Sequence, residues 1–283
     1  MKVLELDPNY FPALQRYAKY RWQMHGETAF ALAIIERAIA ADPLNPWGPH
    51  TAVPFYLDIG DPAAADELAQ GNRVVAASTA ALRALYTGDT KAAGQAALLP
   101  GSFVFGPPER WGVARALRDY ALDGGPRDRI VRLLSDRYKL PLEGDWQLDS
   151  SNFREALLLA HVLLASGQRD RGMRGLDQVI AWIDANGYMG PVFNLRTKAE
   201  ALALRGEDDA ALALLEESFA KLDYTSWWYS LQYDPAWKRL HTHPRFVAIA
   251  ASVRAHVADQ AQRLRDLRAE GQVRQRGVQR AMP

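Results

Sequence analysis

Along most of this chain apolar residues recur at intervals of three and four, and runs of β-branched residues in period-two alternation are scarce. Such a pattern predicts α-helices separated by short Gly, Asp or Pro breaks. The clearest case is "DPNYFPALQRYAKYRWQMHGETAFALAIIERAIAADPLNP". Leu14, Tyr17 and Ala18 place a buried stripe on a first helix. Ala31, Ile35 and Ala38 do so on a second. Gly26 stands where the chain must turn tightly, and Pro43 blocks continuation of the second helix.

The same layout recurs. Taking turn glycines as a ruler, Gly60, Gly88, Gly125, Gly167 and Gly206 follow Gly26. Around them stand Ala52, Val53, Tyr56, Ala65 and Ala69; Ala93 and Ala97; Ala114, Leu117, Ile130 and Leu134; Ala156, Leu159, Ala160, Leu163, Gly172, Leu176 and Val179; and Leu195, Ala199, Leu202, Ala211 and Leu215. The third pair's second helix is short, because Pro100 and Gly101 end it. A last helix runs from Pro244 to about Ala269, with Phe246, Ile249, Val253, Val257, Leu264 and Leu267 inside and Arg254, Arg263, Arg265, Asp266 and Arg268 outside.

The first unit resembles a tetratricopeptide repeat, and the fifth and sixth pairs resemble it well. Pro8 and Pro43 stand 35 residues apart, against a family period of about 34. The third and fourth pairs match weakly, and Lys198 occupies a position where the family has a large apolar residue. The alternative is an irregular α-helical domain with Gly at its turns. The resemblance covers roughly residues 1–222 and implies an all-α solenoid of about six helix pairs, with a long C-terminal capping helix. Residues 1–100 would hold the N-terminal repeats and 101–222 the C-terminal ones, after the apolar loop "PGSFVFGPPERWG", itself a domain boundary or a groove lid. Residues 223–270 would form an aromatic linker and capping helix, and 271–283 a basic flexible tail. "MKVLELDP" reads as a second helix lacking its first, so the array is expected to continue a longer protein. Its open first end would be a surface for self-association.

Composition narrows the chemistry. The chain has 283 residues, 34 basic against 33 acidic, for a net charge of +1. There is no global field to hold nucleic acid or an anionic membrane. Cysteine is absent, which removes thiolate nucleophiles and Cys-based zinc sites. No apolar run approaches the length of a membrane span, and the start is not a signal peptide. The compartment stays open: cytoplasm for a free-standing protein, periplasm for part of a membrane-anchored regulator.

Nucleophile elbows and phosphate loops are missing. His241 and His243 form a His-x-His pair with no marked third or fourth ligand, so they read as residues of the turn before a helix. His161, in an apolar run, reads as buried or groove-facing. No catalytic residue, cofactor or metal is expected. Residues beside the packing positions of first helices would line a concave groove: Gln15, Arg16, Lys19 and Trp22 in the first unit, and Phe193, Arg196, Thr197 and Glu200 in the sixth. Basic groups there suit an acidic peptide or a terminal carboxylate.

The stretch "YTSWWYSLQYDPAWKRLHTHPRF" would cover the last pair with Trp227, Trp228, Tyr233, Trp237 and Phe246. Its Asp234, Pro235, Leu240, Pro244, Arg245 and Phe246 are similar to the ending of tetratricopeptide regions in bacterial winged-helix transcriptional regulators and nucleotide cyclases. Two functions are therefore expected: a protein- or peptide-binding scaffold, or the ligand-sensing half of a membrane-anchored regulator or cyclase. An α-helical enzyme with a cleft between lobes comes third.

Overall fold

In the computed structural model, residues 2–99, 109–186 and 193–276 are described, with the side chains of residues 109–111 and 193 outside that description. The apolar loop, with Phe103, Phe105 and the Trp111 side chain, lies outside the described residues. The fold is all-α, with no strand among the described residues.

Five of the expected pairs pack as such: α2 (Phe11–His25) with α3 (Thr28–Ala41), α4 (Trp47–Asp58) with α5 (Pro62–Gln70), α8 (Glu109–Leu122) with α9 (Arg127–Tyr138), α10 (Phe153–Ala165) with α11 (Arg169–Asn186), and α12 (Phe193–Arg205) with α13 (Asp208–Ala220); at the third position stand α6 (Arg73–Tyr86) and α7 (Thr90–Ala97), of which α7 packs on α8. A short α1 (Lys2–Leu6) precedes them. A π-helical turn (Tyr229–Tyr233), a 3-10 helix (Pro235–Leu240) and α14 (Pro244–Ala269) follow. Each of the six positions turns on a glycine of positive φ, at 26, 60, 88, 124, 167 and 206. The fourth lies one residue before the expected Gly125, whose own N–H donates to the Tyr120 carbonyl at 2.8 Å.

The chain forms two compact units. The first gathers Met1–Thr79, Leu222–Ser230 and Ala248–Pro283. Within it α4 is buried at every position from Gly48 to Asp58, so its polar side chains need partners inside the protein. Thr51 Oγ1 accepts from Gln15 Nε2 at 2.8 Å. Tyr56 donates its hydroxyl to Glu36 at 2.9 Å. Asp58 gathers the most. Its Oδ2 accepts from Trp22 Nε1 at 2.8 Å, its Oδ1 from Trp228 Nε1 at 2.9 Å, and both oxygens from Ser226 N at 3.0 Å. Its backbone carbonyl takes Trp227 Nε1 at 2.7 Å.

This corrects two expectations. Trp22 is a core residue bonded to Asp58, not a groove residue. Trp227 and Trp228, expected over the sixth pair, bond to Asp58 of the second. The long helix matches its predicted bounds, but its body covers the first pair. The reason is local. Glu27, at the N-cap of α3, makes no side-chain cap, and Gln260 Oε1 accepts from Ala29 N at 3.2 Å instead. His256 meets the Gly26 carbonyl at 2.9 Å and stacks on Tyr224 with ring centroids 3.8 Å apart. Gly26 is required twice: its φ is +62°, and an added Cβ would lie 2.6 Å from the Tyr224 ring. Arg268, expected on the outer face, reaches Asp61 at 2.8 Å.

The expected flexible tail is described as far as residue 276, and there Val273 and Arg276 are buried. Arg276 grips Glu36 through two nitrogens, at 2.5 and 2.8 Å. Burial and the adjacent Glu36 raise the ionisation of the Tyr56 hydroxyl far above its usual range.

The second unit comprises Ala80–Lys221 and Leu231–Val247. In it α8, α10 and α12 pack in succession, with α9, α11 and α13 as their partners. A Cβ on Gly94 would sit 2.3 Å from Tyr120, so α7 and α8 approach closely only because that side chain is absent. Here the aromatic stretch does cover the sixth pair. The 3-10 helix packs on α12, Trp237 is fully buried, Arg239 reaches the Ala203 carbonyl and Asp208, and Arg245 pairs with Glu216 at 2.6 Å.

Candidate functional site

Residues three or four apart share one face of a helix. On α8 that rule aligns Arg115, Arg118 and Asp119. On α12 it aligns Arg196, Thr197 and Glu200. All six are buried, none more than 4% exposed. His161 of α10 stands close enough for Arg118 and Asp234 to act on its ionisation. Asp234 comes from the 3-10 helix, where it is the N-cap. Its Oδ1 accepts from Ala236 N at 3.0 Å, and Pro235 occupies the next position. That arrangement fixes the carboxylate before any partner arrives, since Pro at the first position and Asp at the cap are both local preferences.

The charges are interleaved. Arg118 donates from Nε to Asp119 at 2.8 Å and places Nη2 3.1 Å from Asp234 Oδ1. Arg115 Nη2 lies 3.6 Å from Glu200 Oε1, beyond hydrogen-bond length. Glu200 Oε1, Asp234 Oδ2 and His161 Nδ1 are buried atoms without a hydrogen-bond partner. His161 as a whole keeps partial exposure, so the cluster is not sealed at that point.

Burial, with the negative charge of Asp234 added, pushes the Glu200 carboxyl up to about 7, against the pull of Arg115, Arg118 and Arg196. Burial, helped by Arg118 and opposed by Asp234, pushes His161 down to about 3. The two shifts affect stability with opposite sign. Between pH 4.5 and about 7 the folded chain keeps a Glu200 proton that the unfolded chain has released, so stability falls as pH rises. Between pH 6.5 and about 3 the unfolded chain binds a His161 proton that the folded chain lacks, so stability falls as pH drops. Where the windows overlap, the slopes cancel.

Glu200→Gln removes only the first effect. The variant is expected to gain stability over wild type as pH rises from about 4.5 to 6.5, by at most ~1.4 kcal/mol per pH unit. Urea unfolding across that range measures the difference, in which the other titrating groups common to both proteins drop out. Parallel profiles would mean that Glu200 is ionised in the folded chain throughout.

Beside the cluster and within the same unit lies a cavity of about 490 Å³, whose wall includes Asp119 and Asp234 together with Asp123, Tyr233 and Lys238. His241 borders it, its ring 5.2 Å from Phe246, while His243 Nδ1 accepts from Arg245 N at 3.2 Å at the start of α14. Among the described residues no group of three or more His, Asp or Glu side chains is arranged to hold a metal ion. No helix among them is long and apolar enough to cross a membrane.

The expected groove residues therefore divide. Arg196, Thr197 and Glu200 come together in the cluster, while the Phe193 side chain lies outside the described residues. In the first unit Arg16 is exposed and Lys19 half-buried. Lys19 acts, with burial, to hold His50 down at about 3. Gln15 is tied to Thr51, and Trp22 to Asp58. Arg115, Arg118, Asp119 and Asp234 were not anticipated as a group. The sequence signals for them are the charges of Arg115, Arg118 and Asp119 at core-facing spacing on α8 and the Asp234–Pro235 step before the 3-10 helix.

No family model matches the sequence, and neither a curated protein nor a solved structure matches it. The class that fold and site define is an all-α protein carrying an ionic cluster inside its second unit.

Proposed function

We propose that this chain is a non-catalytic recognition module, a tetratricopeptide-like array that holds a protein or peptide partner on the charged first-helix face of its second unit. The observation that carries this reading is the burial of Arg115, Arg118, Arg196, Asp119 and Glu200 on that face, with Asp234 of the 3-10 helix beside them. Stability alone does not call for them, because apolar residues of similar volume usually serve as well or better than a buried ion pair. Orphaned oxygens on Glu200 and Asp234 fit a site that completes its hydrogen bonding with a ligand.

The test separates recognition from stability. Arg115→Met combined with Glu200→Leu replaces the pair by apolar residues. The melting temperature is expected to hold or rise, while binding to an array of short peptides of varied charge falls at least tenfold, roughly the 1.4 kcal/mol or more that such contacts supply. Reversal of Arg16 and Lys19 to Glu, in the other unit, should leave that binding unchanged. A lower melting temperature with unaltered peptide binding, or no peptide bound by wild type, would count against the reading.

A second reading, the ligand-sensing half of a bacterial regulator or cyclase, is favoured by the adjoining cavity, whose volume suits a small molecule better than a peptide chain.

A further inference from the structure

We propose that the cavity beside the 3-10 helix is a binding site for a small organic cation, an alkylammonium or guanidinium group. The inference deepens the sensing reading and rests on it, since Asp119 and Asp234 belong to both cluster and cavity.

Three carboxylates line the cavity, those of Asp119, Asp123 and Asp234. Against them stand Lys238, exposed at the wall, and Arg118, which is spent on Asp119 and Asp234. Among the residues that line the cavity itself, three carboxylates face the single ammonium of Lys238. Asp234 is decisive. It is fully buried, and its Oδ1 is doubly engaged, yet its Oδ2 has no hydrogen-bond partner. A buried carboxylate oxygen left in that state costs free energy that an incoming N–H donor would recover.

Asp123 is exposed and already oriented, its Oδ2 accepting from Thr90 Oγ1 at 2.6 Å. It can meet the cation from the exposed side of the wall, and Asp234 from the buried side. Tyr233 supplies the third element. The residue is 39% exposed, and its ring packs so near Gly88 that an added Cβ there would lie 2.9 Å away. An aromatic face beside carboxylates is the environment that favours a weakly hydrated organic cation. A compact divalent ion is disfavoured, because the carboxylates do not converge within ligating reach among the described residues.

Isothermal titration of the full chain with butylammonium, methylguanidinium and agmatine tests this, with glutarate as the anionic control. At least one cation is expected to bind with one-to-one stoichiometry and a Kd of about 1 mM or tighter. Asp123→Asn, an exposed change that leaves the core intact, should weaken it about five- to tenfold. Tyr233→Leu should weaken it similarly, and Tyr233→Phe should not. The inference is overturned if no cation saturates, if glutarate binds instead, or if Asp123→Asn and Tyr233→Leu both leave the affinity unchanged. Cation binding beside a blank peptide array keeps this inference and removes the peptide reading. Peptide binding without cation binding does the reverse.

Discussion

Replacement of Asp58 by Ala is expected to lower the stability of the first unit by about 3–5 kcal/mol, enough to exhaust much of the margin of a domain this size. Three N–H donors converge on this carboxylate from Trp22, Trp228 and Ser226, and the site is buried. Ala leaves those donors without an acceptor, and each orphaned donor costs about 1–3 kcal/mol. It also opens a void beside two indoles. Asn should cost about half as much, since it keeps one acceptor oxygen but turns an NH₂ toward the remaining donors. Trp22, Trp227 and Trp228 report the loss directly, so urea unfolding followed by tryptophan fluorescence is the measurement. A loss below about 1 kcal/mol for Ala would mean that water replaces the carboxylate, and the hub would then be incidental.

Arg118→Ala is the corresponding break in the second unit, expected to cost about 3–5 kcal/mol because it strands two buried carboxylates at once. Arg118→Lys keeps the charge but loses the planar fork that spans Asp119 and Asp234, so an intermediate loss is expected. Stability alone would not separate this account from simple loss of packing. The ionisation of His161 does. Arg118 holds it down and Asp234 pushes it up, so removing the guanidinium should move the His161 titration upward from about 3. Proton NMR of the His161 ring resolves that shift. A packing defect with the charges unaltered would leave the titration where it is.

Much of this architecture was legible along the chain, for reasons that are local. A helix's apolar stripe and the glycine behind it are written within one turn of sequence, so the succession of helices, the turns between them and the bounds of α14 could be read. What an apolar stripe cannot record is the surface it covers. The body of α14 was expected over the sixth pair because that pair is its neighbour in sequence. It lies on α3, whose uncapped first turn donates the Ala29 N–H to Gln260 Oε1. Asp58 was invisible for the same reason. In "LDIG" it looks like a polar residue at a helix end, and its partners Ser226 and Trp228 stand 168 and 170 residues away. Trp22 was misplaced because an aromatic residue at groove spacing and one at core spacing differ by a single position on the helix. Arg196, Thr197 and Glu200 were assigned to the functional face by periodicity, but their burial depends on α8 and the 3-10 helix, which no local pattern links to α12.

The first unit is assembled from both ends of the chain. Gln260 and Arg276 meet partners 231 and 240 residues upstream. During synthesis the opening pairs therefore leave the ribosome without the segments that complete them, while nearly all of the second unit is made in between. Contacts of such long sequence separation form late, after their loop-closure entropy has been overcome. The buried α4, covered on every side in the finished unit, would spend that interval partly uncovered. A nascent chain arrested at residue 247 holds the whole second unit and an unfinished first one, which is the interval in which a chaperone would be needed.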